Sequence, residues 1–408
     1  MTTYIHRDIE SVLKEMAGQF PAVALTGPRQ SGKSTLLQHL FPDYSYLTLD
    51  DPLVRQQALD DPELLLDSAG PRAVIDEIQY APSLLPRIKM RIDRRRDTPG
   101  QFLLTGSQQF VLMKGLGETL AGRIGLLELL PFGVAEKMRC PGQKARLREP
   151  RAAFVDACLR GSFPEPVLQA RLDSVRWHAA YVQTYLERDI RSLYDIGSLR
   201  EFERFLQLLA ARCAQTLNLS TLAADSGVSV NTIKRWISIL EACRIVYLLP
   251  PYHTNLGKRI VKAPKVYFLD AGLVCYLTGL RDREHLLRGP LAGPLFENFC
   301  IQETVKVFAA RGEPLRLFYL RAKNGLEVDL LIEGPAGRVR PFEFKMSATP
   351  HVGMAEPVRR FREQFGALKP APGAVVSLAA QRRPLTADVR LLPFSDYLNE
   401  LGGKMDVP

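Results

Sequence analysis

Residues Gly27-Pro28-Arg29-Gln30-Ser31-Gly32-Lys33-Ser34 spell G-x-x-x-x-G-K-S, set between the apolar run Ala22-Val23-Ala24-Leu25 and the helix-like Thr35-Leu36-Leu37-Gln38. A strand, a glycine-rich loop and a helix in that order make a phosphate cradle. The glycines let backbone N–H groups converge on phosphate oxygens, the lysine reaches the β- and γ-phosphates, and the serine hydroxyl stands at the helix N-terminus to ligate Mg²⁺. Gly27 to Thr35 are therefore the expected ATP-binding residues, with Lys33 acting in catalysis and Ser34 on the metal. A chain of ordinary composition meets this octet by chance on the order of once in a hundred.

Two further strand ends belong with the cradle. Ala73-Val74-Ile75-Asp76-Glu77 is a short apolar run ending in two carboxylates, the position at which an open α/β sheet presents ligands. Asp76 is expected to hold Mg²⁺ through water, and Glu77 to orient and polarise the attacking water. Gln101-Phe102-Leu103-Leu104-Thr105 leads into Gly106-Ser107-Gln108, so Thr105 or Ser107 stands where a hydroxyl would sense the γ-phosphate. Arg123, in Leu120-Ala121-Gly122-Arg123, is a candidate cation for the γ-phosphate of its own subunit or of a neighbour, which leaves a homo-oligomer open.

From about residue 20 to 135, apolar strands alternate with helical stretches, the pattern of a parallel sheet covered on both faces. The basic, turn-rich stretch Gly142 to Pro150 marks a boundary, and helices dominate beyond it, Tyr181 to Ile190 among them. The expected organisation is an ATPase domain over 1–140, a helical connector over 141–200, a winged helix over 201–270 and a nuclease-like α/β domain over 271–408.

The winged helix is read from residues 218–241. Leu219, Leu222 and Ala223 fit the buried side of a first helix, Gly227 permits a turn, and Ser229 caps a second helix with Ile233, Ile237 and Leu240 inward. Asn231, Thr232, Lys234 and Arg235 then face outward toward phosphates or base edges, and Lys258, Arg259 and Lys262 lie in a basic wing between two strand-like runs. The 408 residues carry 54 Lys and Arg against 44 Asp and Glu, a net charge of +10 that suits a polyanionic partner, duplex or branched DNA.

In the last third, Leu326 to Ile332 and Val339 to Lys345 form two strand candidates around a turn. Pairing symmetric about Ala336 puts Asp329 opposite Glu343, with Lys345 on the same face and Val328, Leu330, Phe342 and Phe344 on the other. Glu297, in a helix-like stretch, can supply a third acid. Carboxylates Glu297, Asp329 and Glu343 holding a divalent cation, with Lys345 beside them, would make a phosphodiesterase centre; the alternative is a solvated polar sheet face or a fold used only for binding.

The six cysteines contain no C-x-x-C pair, which argues against zinc and a disulfide framework. The first residues show no secretory leader, and no 18-residue apolar run occurs, so a cytoplasmic protein without membrane contact is expected.

With the cradle, Ile75-Asp76-Glu77-Ile78-Gln79, Thr105-Gly106-Ser107, Leu120-Ala121-Gly122-Arg123 and the Glu-x-Lys hairpin in order, the chain resembles the bacterial AAA-type P-loop ATPases joined to a C-terminal domain of unknown function 4143, over roughly residues 5 to 395. The resemblance implies an ATP-hydrolysing core in which Lys33, Ser34, Asp76 and Glu77 match the Walker residues. It also implies a C-terminal fold similar to PD-(D/E)xK nucleases, onto which Glu297, Asp329, Glu343 and Lys345 map. No sensor asparagine follows Leu104, and Val328 stands where the nuclease pattern often has proline. The expected activity is Mg²⁺-dependent ATP hydrolysis coupled to DNA remodelling or translocation. The alternatives are a nucleotide-gated switch docking a protein partner and an ATP-regulated, metal-dependent nuclease.

Overall fold

A computed structural model describes residues 4–106, 119–186, 199–252, 263–334 and 337–403. The chain divides into two units: Met1–Phe132 with Ile239–Ile245 and Phe308–Pro314, and the remainder.

In the first unit, α1 (Glu10–Gln19) leads to β1 (Ala22–Thr26), α2 (Lys33–Leu40), β2 (Ser45–Thr48), α3 (Pro52–Asp60), α4 (Pro62–Ser68), β3 (Ala73–Asp76), α5 (Leu84–Arg94), β4 (Phe102–Gly106) and β5 (Ile124–Glu128). The strands form one sheet in the order β2-β3-β4-β1-β5, and every pairing is parallel. β1 is buried at all five positions because it is central and covered on both faces, which explains its uninterrupted apolar run. Alternation then splits its side chains. Ala22 and Ala24 pack with Ile75, Leu104, Leu65 and Ile88, while Val23 and Leu25 pack with Leu13, Leu36, Leu37 and Leu103. Each fully buried leucine of these two layers contributes roughly 1.5–3 kcal/mol. α5 buries Leu84, Leu85, Ile88 and Ile92 on one stripe and turns its arginines outward. The parallel direction brings the ends of β1, β3 and β4, namely Thr26, Asp76 and Gly106, to one edge of the sheet.

The second unit begins with helices, among them Pro150–Arg160 and Ser174–Tyr181, the latter continuing into a π-helical turn over Val182–Leu186. A helix–turn–helix follows, as the spacing predicts. Asn218 caps the helix Leu219–Ser226 by accepting from Thr221 N–H at 3.0 Å, and Gly227 ends it at φ 76°. Ser229 Oγ accepts from Thr232 N–H at 3.1 Å to open the helix Val230–Ala242, whose Ile233 and Trp236 are buried. Trp236 packs on Phe202 and Phe205. Next, β6 (Val246–Leu249) and β7 (Lys265–Phe268) pair antiparallel. Lys258, Arg259 and Lys262 lie outside the described residues.

The rest of this unit is a six-stranded mixed sheet in the order β12-β13-β11-β10-β9-β8. It comprises β8 (Leu317–Arg321), β9 (Glu327–Glu333), β10 (Val339–Lys345), β11 (Gly373–Ser377), β12 (Arg383–Pro384) and β13 (Val389–Pro393), with the helices Ala292–Ala310, Glu356–Gln364 and Phe394–Gly402. β9 and β10 pair antiparallel with Val339 facing Glu333 and Phe342 facing Leu330, the register expected from symmetry about residue 336. All six cysteines are buried, and none forms a disulfide. Among the described residues, no helix is long and apolar enough to cross a membrane.

Candidate functional site

The loop between β1 and α2 has a shape that its sequence requires. Gly27 sits at φ 139°, and a Cβ there would stand 2.1 Å from the carbonyl oxygen of Leu129, so only glycine fits. Gly32 adopts φ 94° and opens α2. Lys33 is 5% exposed, and its Nζ donates to the carbonyls of Gly27 at 3.1 Å and Pro28 at 2.9 Å. The ammonium thus lies folded against its own loop, where a phosphate oxygen would offer a stronger, charged acceptor. Ser31 Oγ is buried with no hydrogen-bond partner, a donor suited to a phosphate oxygen. The cradle therefore fits a triphosphate. Arg29 reaches Tyr80 OH at 3.2 Å, and Thr35 is exposed on the first turn of α2.

At the edge of the sheet, Ser34 Oγ lies 3.0 Å from each carboxylate oxygen of Asp76. The same carboxylate accepts from Tyr46 OH at 2.6 Å and from Thr105 Oγ1 at 2.5 Å. Thr105 is fully buried, and its hydroxyl also accepts from the Glu77 N–H at 3.0 Å. That hydroxyl holds the two acids in place. Ser107 lies outside the described residues. Glu77 is half-buried with its backbone at φ 58°, a left-handed conformation costly for a residue bearing a Cβ, and Gln79 Nε2 donates to its carboxylate. Burial and the Asp76 carboxylate push the Tyr46 phenol well up, so it remains a donor. Asp50 is also held above the ordinary carboxylate range by burial and by the charges of Glu77 and Asp76.

Arg123 is not part of this group. It precedes β5, whose first residue, Ile124, pairs with Ala22, whereas the phosphate loop follows the far end of β1. Five residues of strand, roughly 16 Å, separate them. The guanidinium instead pairs with Asp93, at 2.6 Å from Nε. Of the two placements open for Arg123, its own γ-phosphate or a neighbour's, strand direction argues against the first.

Arg7 has no counterpart in the sequence expectations. It is 7% exposed, donates from Nη1 to Ser31 O at 2.8 Å and from Nη2 to Leu130 O at 2.7 Å, and lies 4.7 Å from the centre of the Phe132 ring. It braces the phosphate loop from behind. Tyr46 was missed for the same reason: each reaches the site from a segment with no motif of its own.

In the second unit, the four C-terminal residues come together with one addition. Asp329 Oδ2 accepts from Phe344 N–H at 2.9 Å, and Glu343 Oε1 meets Lys345 Nζ at 2.6 Å. Asp329, Glu343 and Lys345 line a cleft of about 630 Å³ with Glu327, His351 and Arg360. Asp329 and Glu343 are 7% and 4% exposed, so these two acids do not fit the alternative of a solvated polar face. The addition is Lys265 of β7, 2% exposed, with its ammonium 3.0 Å from Glu297, 2.8 Å from Glu327 and 3.6 Å from Asp329. Tyr267 OH donates to Glu297 at 2.6 Å. Burial and the Asp329 charge, opposed by Lys265, push Glu297 up to about 7. Burial and Asp329 likewise raise Glu343 well above the usual range. The signal for Lys265 and Tyr267 was present as a polar pair two residues apart on an otherwise apolar strand.

Asn231, Lys234 and Arg235 are exposed on the helix Val230–Ala242, and Thr232 is half-buried, its hydroxyl 2.9 Å from that of Ser229.

Comparison with known proteins agrees with the ATPase architecture. The AAA domain family model matches residues 19–138, a domain of unknown function (DUF8612) matches 151–284, and another (DUF4143) matches 292–397. Uncharacterized proteins of Mycobacterium tuberculosis and Mycobacterium bovis are each 33% identical over 395 residues, 96% of this chain and 84% of theirs. An uncharacterized protein of Methanocaldococcus jannaschii is 23% identical over 359 residues, 81% of this chain and 75% of its own. Among solved structures, a Walker-type ATPase of Pyrococcus abyssi superposes with a TM-score of 0.46 at 15% identity, covering 67% of this chain and 96% of that one. The Holliday junction branch migration motor of Thermotoga maritima gives 0.32 at 19% identity, covering 60% and 90%. With its phosphate loop inside the AAA match and its acidic hairpin inside the C-terminal one, the chain belongs to the P-loop ATPase family that joins an AAA domain to DUF4143.

Proposed function

We propose that this protein is a Mg²⁺-dependent ATP hydrolase that binds DNA and couples turnover to remodelling of the duplex or movement along it. The reading is carried by the approach of Ser34 to Asp76, with 3.0 Å between the hydroxyl and each carboxylate oxygen. A hydroxyl at a helix start facing a strand-end carboxylate is the pair that holds Mg²⁺ in P-loop hydrolases. Bound between them, magnesium would neutralise charge on the β- and γ-phosphates. Lys33 turns from its own carbonyls to the phosphate oxygens, Ser31 supplies a hydroxyl, and the loop N–H groups supply the rest of the cradle. Glu77 orients water for attack on the γ-phosphorus, its backbone kept in place by Thr105. Arg123 takes no part within its own subunit and would act only across an interface.

Support for DNA comes from the +10 charge and from the exposed Asn231, Lys234 and Arg235, with Thr232 beside them, on the second helix of the helix–turn–helix. In this reading the helix–turn–helix and the β6–β7 pair act as a winged helix.

Calorimetry of Lys33→Ala tests the nucleotide site: ATP affinity falls by about 10- to 100-fold, the value of one or two charge-assisted hydrogen bonds. Unchanged affinity removes the assignment. Turnover measured across single-stranded, duplex and branched DNA tests the second half. DNA should stimulate it, and binding should weaken steeply with salt. Equal rates on every substrate would leave an ATPase without a nucleic-acid role.

A further inference from the structure

A nuclease centre of the type expected here needs oxygens free to enclose a divalent cation, which takes about six ligands at roughly 2.0–2.6 Å. In the C-terminal cluster each of the three mapped acids already has one oxygen engaged. Asp329 Oδ2 is taken by the Phe344 amide, Glu297 Oε1 by both Tyr267 OH and Lys265, and Glu343 Oε1 by Lys345. Among the described residues, no group of three or more His, Cys, Asp and Glu side chains is disposed to hold a metal. Glu343 Oε2 is buried without a hydrogen-bond partner.

The positive charge among these acids belongs to the protein. Lys265 Nζ stands 3.0 Å from Glu297, 2.8 Å from Glu327 and 3.6 Å from Asp329, on a side chain that is 3% exposed. We infer that the Lys265 ammonium takes the place of the divalent cation in this nuclease-like domain, which makes the cluster a metal-free tie that does not cut DNA and joins β7 to the helix Ala292–Ala310 and to β9.

The geometry explains why the lysine is difficult to displace. A buried ammonium that leaves its partners costs far more than an exposed one, because the buried Glu297 and Asp329 would lose its charge together. An incoming metal would also have to compete with Lys265 for Glu297 and Asp329. Lys265 lies on the strand pair that follows the helix–turn–helix, so the same contact fixes that module to the sheet that carries the acids. This inference is independent of the ATPase reading, since none of these residues lies in the phosphate loop.

Manganese binding to the full chain without nucleotide, followed by calorimetry and by the electron paramagnetic resonance of free Mn²⁺, tests it. Wild type and Asp329→Asn should bind the same number of ions, because the only site they could differ in is already filled. Lys265→Met should gain one ion, and the double variant Lys265→Met with Asp329→Asn should lose it again. Labelled duplex and single-stranded DNA should remain intact with wild type in Mg²⁺ or Mn²⁺. The inference is overturned if Asp329→Asn binds one ion fewer than wild type, or if wild type cleaves DNA and Asp329→Asn does not. It is overturned equally if Lys265→Met folds, by circular dichroism, yet gains no ion. Should Lys265→Met fail to fold, the comparison of wild type with Asp329→Asn decides alone. Failure of this test leaves ATP binding at Lys33 untouched, so the two readings stand or fall separately.

Discussion

Ser34 and Asp76 meet across the edge of the parallel sheet, the hydroxyl 3.0 Å from both carboxylate oxygens, although 41 residues separate them in the chain. Asp76→Asn retains the shape of this contact and removes its charge. The expected result is ATP that still binds but no longer tightens when Mg²⁺ is added, with turnover lowered about 10²- to 10³-fold. Calorimetry with and without the metal reads it directly; an undiminished Mg²⁺ effect would place the metal elsewhere.

Glu77→Gln separates binding from hydrolysis. Its backbone is held by Thr105 and its side chain by Gln79, so the amide should occupy the same place without accepting a proton. Phosphate release at saturating ATP should fall by about 10²- to 10⁴-fold, the usual worth of a general base, with affinity changed less than about threefold. A variant that turns over normally would assign the water to another residue.

Arg7 is a stability prediction with a functional echo. Arg7→Ala strands the buried carbonyls of Ser31 and Leu130, at a cost of about 3 kcal/mol if each loses its partner outright. Urea unfolding should show that loss, and Arg7→Lys, able to reach one carbonyl, should recover part of it. Equal midpoints for Arg7→Ala and wild type would show that the brace carries no energy.

A pH dependence follows from Asp270, which is 3% exposed and accepts from Ser162 N–H at 2.6 Å, Leu273 N–H at 2.8 Å and His178 Nε2 at 3.3 Å. Burial works to raise its carboxyl, yet the hydrogen bond and charge of His178 and the Leu273 amide hold it below its ordinary value of 3.8. A depressed folded value means that the unfolded chain takes up the proton first. The contribution is therefore complete above pH 3.8 and fades as pH falls through the folded value below it. Urea midpoints of wild type and Asp270→Asn should differ most at pH 6 and converge toward pH 3, in a comparison made at about those two values. A gap that stays constant over that range would contradict the assignment.

The residues that were legible in the sequence are those whose chemistry constrains their neighbours. Gly27 must be glycine because Leu129 closes over it, and the octet around it announces itself for that reason. The hairpin register could be read once pairing symmetric about residue 336 was assumed, which puts Phe342 opposite Leu330. The helix–turn–helix was equally plain in its turn residue, Gly227, and its second cap, Ser229. Tyr46, Arg7 and Lys265 were hidden because each acts far from its own neighbours in sequence. Arg123 was read as serving its own subunit or a neighbour's, and its place before β5 bears only on the first of these.

Three hydroxyls, from α2, β2 and β4, converge on the single carboxylate of Asp76, and one of them, Thr105, also receives the amide of Glu77. A ligand that draws Ser34 toward itself rewrites the sharing of that carboxylate, and the adjustment passes through Thr105 to the residue that would handle water. Occupancy of the cradle and readiness for attack are in this way wired to one another, so a Thr105→Val protein should fill with nucleotide and yet fail to respond to it.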